Sequence, residues 1–295
     1  MKTHVLSWMA LLLLVTGMFT MPGTAKGDAV PGEEIITLGE DLSPDDRTRL
    51  LEEMSADEND TIIYVSNEEE HRYLGDYISA SQIGTRALSS TKITLTEEGS
   101  GLNVETNNIN WVSEGMYANA LVTAGVKDAD IYVTAPFEVS GTAALTGLIK
   151  AYEVQADVVI PEEQKKVANE EMVRTAELGE RIGTEEATEL ITRIKEEIGR
   201  QSVESEEDLR ALIINISNEL NITLNEEEVN GLVSLFDRMQ ELNIDWNQVQ
   251  DQISKVRNNL DDFLNREDTQ SFIASFLDFI NQLIDSARGW LSSES

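Results

Sequence analysis

The stretch Asp130–Tyr152, DIYVTAPFEVSGTAALTGLIKAY, decides how the first half of the chain is read. Asp130–Thr134 carries the β-branched and aromatic residues of a buried strand. Pro136 lacks the N–H a ladder needs and is expected to end it. Small residues then open a helix predicted over Ser140–Tyr152, with Ser140 as its cap. A strand leading directly into a helix is the unit of an α/β layer.

Upstream, the same order recurs. Ile35–Leu38 reads as a short strand, and Ser43-Pro44-Asp45-Asp46 as a capped helix start with acids at the positive dipole end. Leu50, Leu51 and Met54 give that helix an apolar face. Thr61–Val65 is a second buried strand, followed by a helix around Glu68–Tyr77. Ile93–Thr96 and Leu102–Thr106 flank the turn residues Glu97–Gly101 and are predicted to pair as a hairpin. A helix over Val112–Thr123 stops at Gly125. Ile63-Tyr64-Val65-Ser66 echoes Ile131-Tyr132-Val133-Thr134, and each leads into a helix, which suggests a duplicated strand–helix–strand–helix unit.

Downstream of a linker at Ala156–Pro161 the periodicity becomes helical. Ala187, Leu190, Ile191, Ile194 and Ile198 share one face, and Thr223–Glu226 has capping-box spacing ahead of Val229 and Leu232. Further stripes start at Trp246 and at Phe272. The last one carries Asp278, Asp285 and Arg288, which suits a core or partner contact better than a membrane. The expected architecture is an α/β (or α+β) domain over 28–156, open to internal duplication, then an all-α helical domain over 161–295.

Residues 1–27 have the plan of a secretory signal peptide: Lys2, an apolar run from Val5 to Met21, and small residues near the end. Cleavage is expected after Ala25 or Gly27, leaving a secreted or cell-wall-associated protein with no transmembrane segment. The whole chain has a net charge of −33 and no cysteine, so an exported form must rely on its core and not on disulfides. The acid is even: 23 acidic against 7 basic residues over 28–152, and 32 against 13 over 153–295. Neither half offers the basic surface that nucleic acid requires.

Three stretches, EEHRYLGDYISASQIGTRALSS (Glu69–Ser90), GSGLNVET (Gly99–Thr106) and AGVKDADIYVTAPFEVSGTAALTGLIKAYE (Ala124–Glu153), resemble the YpuA-like family. LVSLFDRMQELNIDWNQV (Leu232–Val249) resembles its helical half. This is a family of exported Gram-positive bacterial proteins built on a domain of unknown function. The resemblance implies export and the two-part layout, and it brings no catalytic motif.

Catalytic and metal signatures are thin. His71 is the one histidine left after residue 27, so a zinc site would rest on it plus carboxylates; a packing role is preferred. Asp57–Thr61 offers oxygen ligands, which keeps calcium open as a partner but without EF-hand spacing. Ser89–Lys92 matches S-x-x-K, yet Lys92 leads into a strand, which points the two side chains apart. The candidate binding segment is Ser140-Gly141-Thr142, where a helix start could receive an anion or carboxylate; tight helix packing is the competing reading. No catalytic residue, metal ligand or cofactor is assigned. The preferred function is a non-enzymatic extracellular or cell-surface binding protein, with an unidentified protein or envelope component as partner. The alternative is a carboxylate-dependent hydrolase of cell-envelope polymers, with or without assistance from calcium.

Overall fold

The computed structural model describes residues 32–264 other than Asn59, Ser202 and Asn243. The signal segment and the stripe from Phe272 lie outside the described residues. Ile35–Leu38 are apolar enough to be covered on both faces, and they form most of β1 (Glu34–Gly39). Ser43 caps α1 (Pro44–Glu53), its Oγ accepting from the Asp46 N–H at 3.1 Å. There follow β2 (Thr61–Val65), α2 (Asn67–Leu74), a short α3 (Ala80–Ile83), β3 (Ser90–Leu95) and β4 (Leu102–Ile109). α4 (Glu114–Ala124) ends at Gly125 in the left-handed region, and β5 (Ala129–Val139) leads into α5 (Thr142–Gln155).

These strands make one sheet in the order β2-β1-β3-β5-β4. β1 with β2, and β4 with β5, are parallel pairs, and β3 lies between them antiparallel to both of its neighbours. The expected hairpin is therefore corrected: β3 and β4 do not pair, because β5 is inserted between them. The loop over Glu97–Gly101 reaches across the start of β5, where Gly101 N–H donates to Asp128 Oδ1 at 2.8 Å. Two strand spacings, about 10 Å, are too wide for a tight turn; Gly99 and Gly101, both with positive φ, help the loop span them.

The strand predicted to stop before Pro136 runs on to Val139. Its pairing with β3 ends at Thr134, so Pro136 falls where no β3 donor or acceptor faces it. The echoed tetrapeptides face alike: Val65, Ile131 and Val133 are buried, whereas Tyr64 and Tyr132 look toward α1 side chains. α1 covers one face through Ile36, Leu38, Leu50 and Met54. α4 and α5 cover the other, through Ile93, Ile131, Leu121 and Leu148.

From Glu162 to Leu264 the described elements are helices: α6 (Glu162–Ile182), α7 (Thr184–Arg200), α8 (Glu206–Glu219), α9 (Glu226–Glu241) and α10 (Trp246–Leu264). The cap of α9 is Asn225 with Glu228, two residues beyond the predicted box at Thr223; the Asn225 side chain accepts from Glu228 N–H at 2.9 Å. α6 is the shared wall. Its Ala168, Met172 and Ala176 join the core under the sheet, while Val167 and Leu178 join the core of α7, α8 and α9. A buried ion pair pins the layers: Lys195 Nζ on α7 lies 3.0 Å from Glu171 Oε1 on α6 and donates to Thr123 Oγ1 and the Asn119 carbonyl on α4, each at 2.8 Å. Burial holds the Lys195 ammonium below its ordinary pKa. Such a pair contributes registry more than net stability.

Candidate functional site

Two places along α5 gather polar side chains. The first is the predicted helix start at Ser140–Thr142. Gly141, not Ser140, is the residue that caps α5, and it does so at φ 92° without a side-chain hydrogen bond. The space beside it is taken, since a Cβ there would lie 2.3 Å from Tyr117 Oη and 2.6 Å from Ile109 Cγ2. Tyr117 donates to the Gly141 carbonyl at 2.6 Å, and the Ser140 and Thr142 hydroxyls are 3.2 Å apart.

Thr142 also donates to Glu70 Oε1 on α2, and Asn67 Nδ2 donates to Glu70 Oε2 at 3.1 Å. The carboxyl at this turn is thus supplied by the chain itself. Glu70 is 2% exposed. Burial raises its pKa above the ordinary 4.5 even against the hydrogen bonds from Thr142 and Asn67; His71 lowers it and Asp41 raises it further. Burial likewise raises the Tyr117 phenol.

The second place lies one turn further along. Thr146, Ile149, Lys150 and Glu153, at i, i+3, i+4 and i+7, point into a cleft of about 170 Å³. α2 contributes Glu69 and Tyr73, and α6 contributes Lys165 and Asn169, each pair spaced i, i+4. Charges of both signs meet here. Lys150 Nζ is 2.7 Å from Glu69 Oε1, and Lys165 Nζ is 2.9 Å from both Glu153 Oε2 and Glu162 Oε1. Tyr73 donates to Glu162 Oε2 at 3.0 Å.

Three of these groups, Glu69, Glu162 and Lys165, are shifted toward their charged forms. Burial would raise Glu69, but hydrogen bonds from Lys150 and from the Ser66 N–H outweigh it and bring the carboxyl below 4.5. The bond from Lys165 lowers Glu162 despite some burial. Burial opposes the charge of Lys165, yet Glu153 and Glu162 together raise its pKa above 10.5.

Two buried side chains in this cleft have polar atoms with no hydrogen-bond partner: Thr146 Oγ1 and Asn169 Oδ1. Thr146 is 4% exposed and Asn169 0%. The Asn169 amide is oriented by its own Nδ2, which donates to the Lys165 carbonyl at 2.8 Å. Other buried polar atoms among the described residues also lack partners, Thr96 Oγ1 and Gln252 Oε1 among them, but Thr146 and Asn169 are the ones whose side chains line one of the two clefts. A second cleft of about 260 Å³, between α6 and α9, includes Arg174, Glu177 and Glu227, and none of its lining side chains is orphaned in this way.

A family model described as "Protein of unknown function (DUF1002)" matches residues 38–256, from within β1 to within α10 and across every cleft residue. The chain belongs to this family. It is similar to the Uncharacterized protein YpuA of Bacillus subtilis (strain 168), 49% identical over 273 residues that cover 92% of this chain and 94% of that protein. This agrees with the resemblance carried by Glu69–Ser90 and Ala124–Glu153. No solved structure matches the chain.

The other sequence candidates take local roles within the DUF1002 fold. His71 Nε2 lies 3.0 Å from the Gly84 carbonyl and ties α2 to the end of α3. Lys92 Nζ pairs with Glu34 Oε2 at 2.6 Å and donates to the Met54 carbonyl, while Ser89 is buried just ahead of β3. Among the described residues no group of three or more His, Asp or Glu is placed to hold a metal ion. Nor, among them, is any helix long and apolar enough to cross a membrane.

The cleft residues were not singled out from the sequence. A signal was there: Thr146, Lys150 and Glu153 place polar groups on one stripe of an otherwise apolar helix. What the sequence does not contain is the partner wall, because α6 arrives from beyond the linker.

Proposed function

We propose that this protein is exported and acts by binding, not catalysis, and that its ligand occupies the cleft between α2, α5 and α6. The observation that carries this reading is the pair of buried, unpartnered atoms, Thr146 Oγ1 and Asn169 Oδ1, in a concave site. Leaving such atoms unpaired costs about 1–3 kcal/mol each, a cost that a bound polar molecule would offset. Export is supported by the pattern of residues 1–27.

Hydrolysis by paired carboxylates is less well supported. A general acid needs a carboxyl of raised pKa facing the substrate. Of the carboxylates that line the cleft, Glu69 has a lowered pKa and both it and Glu153 are tied to lysines; Glu162, outside the lining, is also lowered and tied to Lys165. Two carboxyls among the described residues are raised: Glu70 is buried with Thr142 and Asn67 as its donors, and Glu177, raised by burial, lines the separate cleft between α6 and α9 beside Arg174 and Glu227.

The test is a thermal-shift screen of small polar molecules on the protein lacking residues 1–27, run beside Thr146→Val. At least one compound should raise the Tm of the parent and not of the variant. Equal shifts in both proteins for every active compound would refute the cleft as the site.

A further inference from the structure

We infer that the ligand of this cleft is a small zwitterion of the amino-acid or short-peptide class, held by its ammonium and its carboxylate at once. The inference rests on the cleft being a binding site and adds the chemistry of what enters it. Charge balance is the first argument. Lys150 is already matched by Glu69, and Lys165 by Glu153 and Glu162. A simple anion would displace carboxylates from the lysines and leave them uncompensated, in a chain whose net charge is −33. Among the lining residues two lysines already face two glutamates, Glu69 and Glu153, so a simple cation could reach either carboxylate only by displacing its lysine. A ligand carrying both charges can enter both pairs, its carboxylate meeting an ammonium and its ammonium meeting the freed glutamate, and no charge is stranded.

The orphaned atoms supply the second argument. Asn169 Oδ1 accepts only, and its amide nitrogen is already committed to the Lys165 carbonyl, so the ligand must bring an N–H or O–H. Thr146 Oγ1 both donates and accepts, and can meet a carbonyl or carboxylate oxygen. An N–H beside a C=O within one small frame is the arrangement of an amino acid or a peptide bond. Size is the third. The cleft, at about 170 Å³, is smaller than the roughly 300–1,000 Å³ of sites for drug-sized molecules, and Ile149 offers it limited apolar wall.

The test is calorimetric titration of the protein lacking residues 1–27 with alanyl-alanine, with its N-acetylated and its C-amidated forms, and with N-acetylglucosamine as a neutral polar control. Saturable binding of alanyl-alanine is expected, weakened about tenfold or more by blocking either end. Lys150→Met and Thr146→Val should each abolish it. Blocked peptides that bind as well as the free one would overturn the zwitterion. So would binding of the sugar alone; if Thr146→Val removes that binding, the cleft survives as a site and only the ligand class fails. No response to any of the four probes would overturn the zwitterion, while a Thr146-dependent hit among other compounds in the thermal screen would still uphold the cleft.

Discussion

Two turns of one helix treat polar groups in opposite ways. At the start of α5, Thr142, Glu70, Asn67 and Ser140 are linked by hydrogen bonds, Tyr117 donates to the Gly141 carbonyl, and a Cβ on Gly141 would collide with Tyr117 and Ile109. Four residues later, Thr146 is as deeply buried as Thr142 but has no partner, and Asn169 across the cleft shares the deficit. The helix start, which looks like an anion site in the sequence, is a finished piece of architecture. The unfinished piece is the stretch that looks like ordinary helix. Unsatisfied groups, more than motif-like ones, point to where another molecule belongs.

The largest test of this contrast is Gly141→Ala. The new Cβ must enter at positive φ and within 2.3 Å of Tyr117 Oη, in a turn with no slack. A loss of about 3 kcal/mol or more is expected, combining backbone strain with displacement of a buried tyrosine. Urea denaturation would measure it. Stability within error of the parent would mean that the turn is not a closed set, and the contrast would collapse.

The same substitution at two neighbouring sites gives the next test. Thr142→Val removes the donor to a buried carboxyl, and at neutral pH it should cost about 1–3 kcal/mol. Thr146→Val removes a hydroxyl that bonds to nothing, so it should be neutral or raise stability by up to about 1 kcal/mol. Opposite signs at 142 and 146, read from urea midpoints at constant slope, are the expected result. A similar loss at both would show that Thr146 has a structural partner after all.

Local elements were legible wherever the signal was local. Ser43 and Gly125 end their helices as capping chemistry requires, and Thr61–Val65 is a strand at its predicted limits, although as an edge of the sheet it is mostly exposed, with Val65 alone buried, and not the buried strand expected. What failed was pairing. Two strands on either side of a Gly-rich turn look like a hairpin, and nothing within Ile93–Thr106 reveals that β5, more than twenty residues on, takes the place between them. The capping box slid from Thr223 to Asn225 because both positions carry a capping residue three ahead of a glutamate. Residues 156–161 connect α5 to α6, and the sharing of one core across this connection was not legible, since α6 presents small and apolar residues to both sides. The candidate site was half legible for the same reason. Ser140–Thr142 was read as a helix start, whereas the bond from Thr142 to Glu70 and the cleft beyond it depend on helices brought together by tertiary packing.

The finest test uses two adjacent glutamates, one in each environment. Glu69 belongs to the open cleft and has its pKa lowered, while Glu70 belongs to the closed turn and has its pKa raised. A lowered carboxyl contributes stability above its unfolded value of 4.5, and loses it as pH falls through the folded value. A raised carboxyl contributes below 4.5 and loses it as pH rises through the folded value. Glu69→Gln should therefore match the parent in acid and fall behind it above pH 4.5, by about 0.2–1 kcal/mol as for a partly exposed ion pair. Glu70→Gln should do the reverse and gain on the parent as pH rises above 4.5. Its amide can accept from Asn67 and donate to Thr142 Oγ1, which frees that hydroxyl to bond Ser140 instead. Plotted as the change in Tm against pH, the two variants should diverge with opposite slopes. Parallel curves would mean that the two sides of α2 share one environment, and that the distinction between a closed turn and an open cleft is not electrostatic.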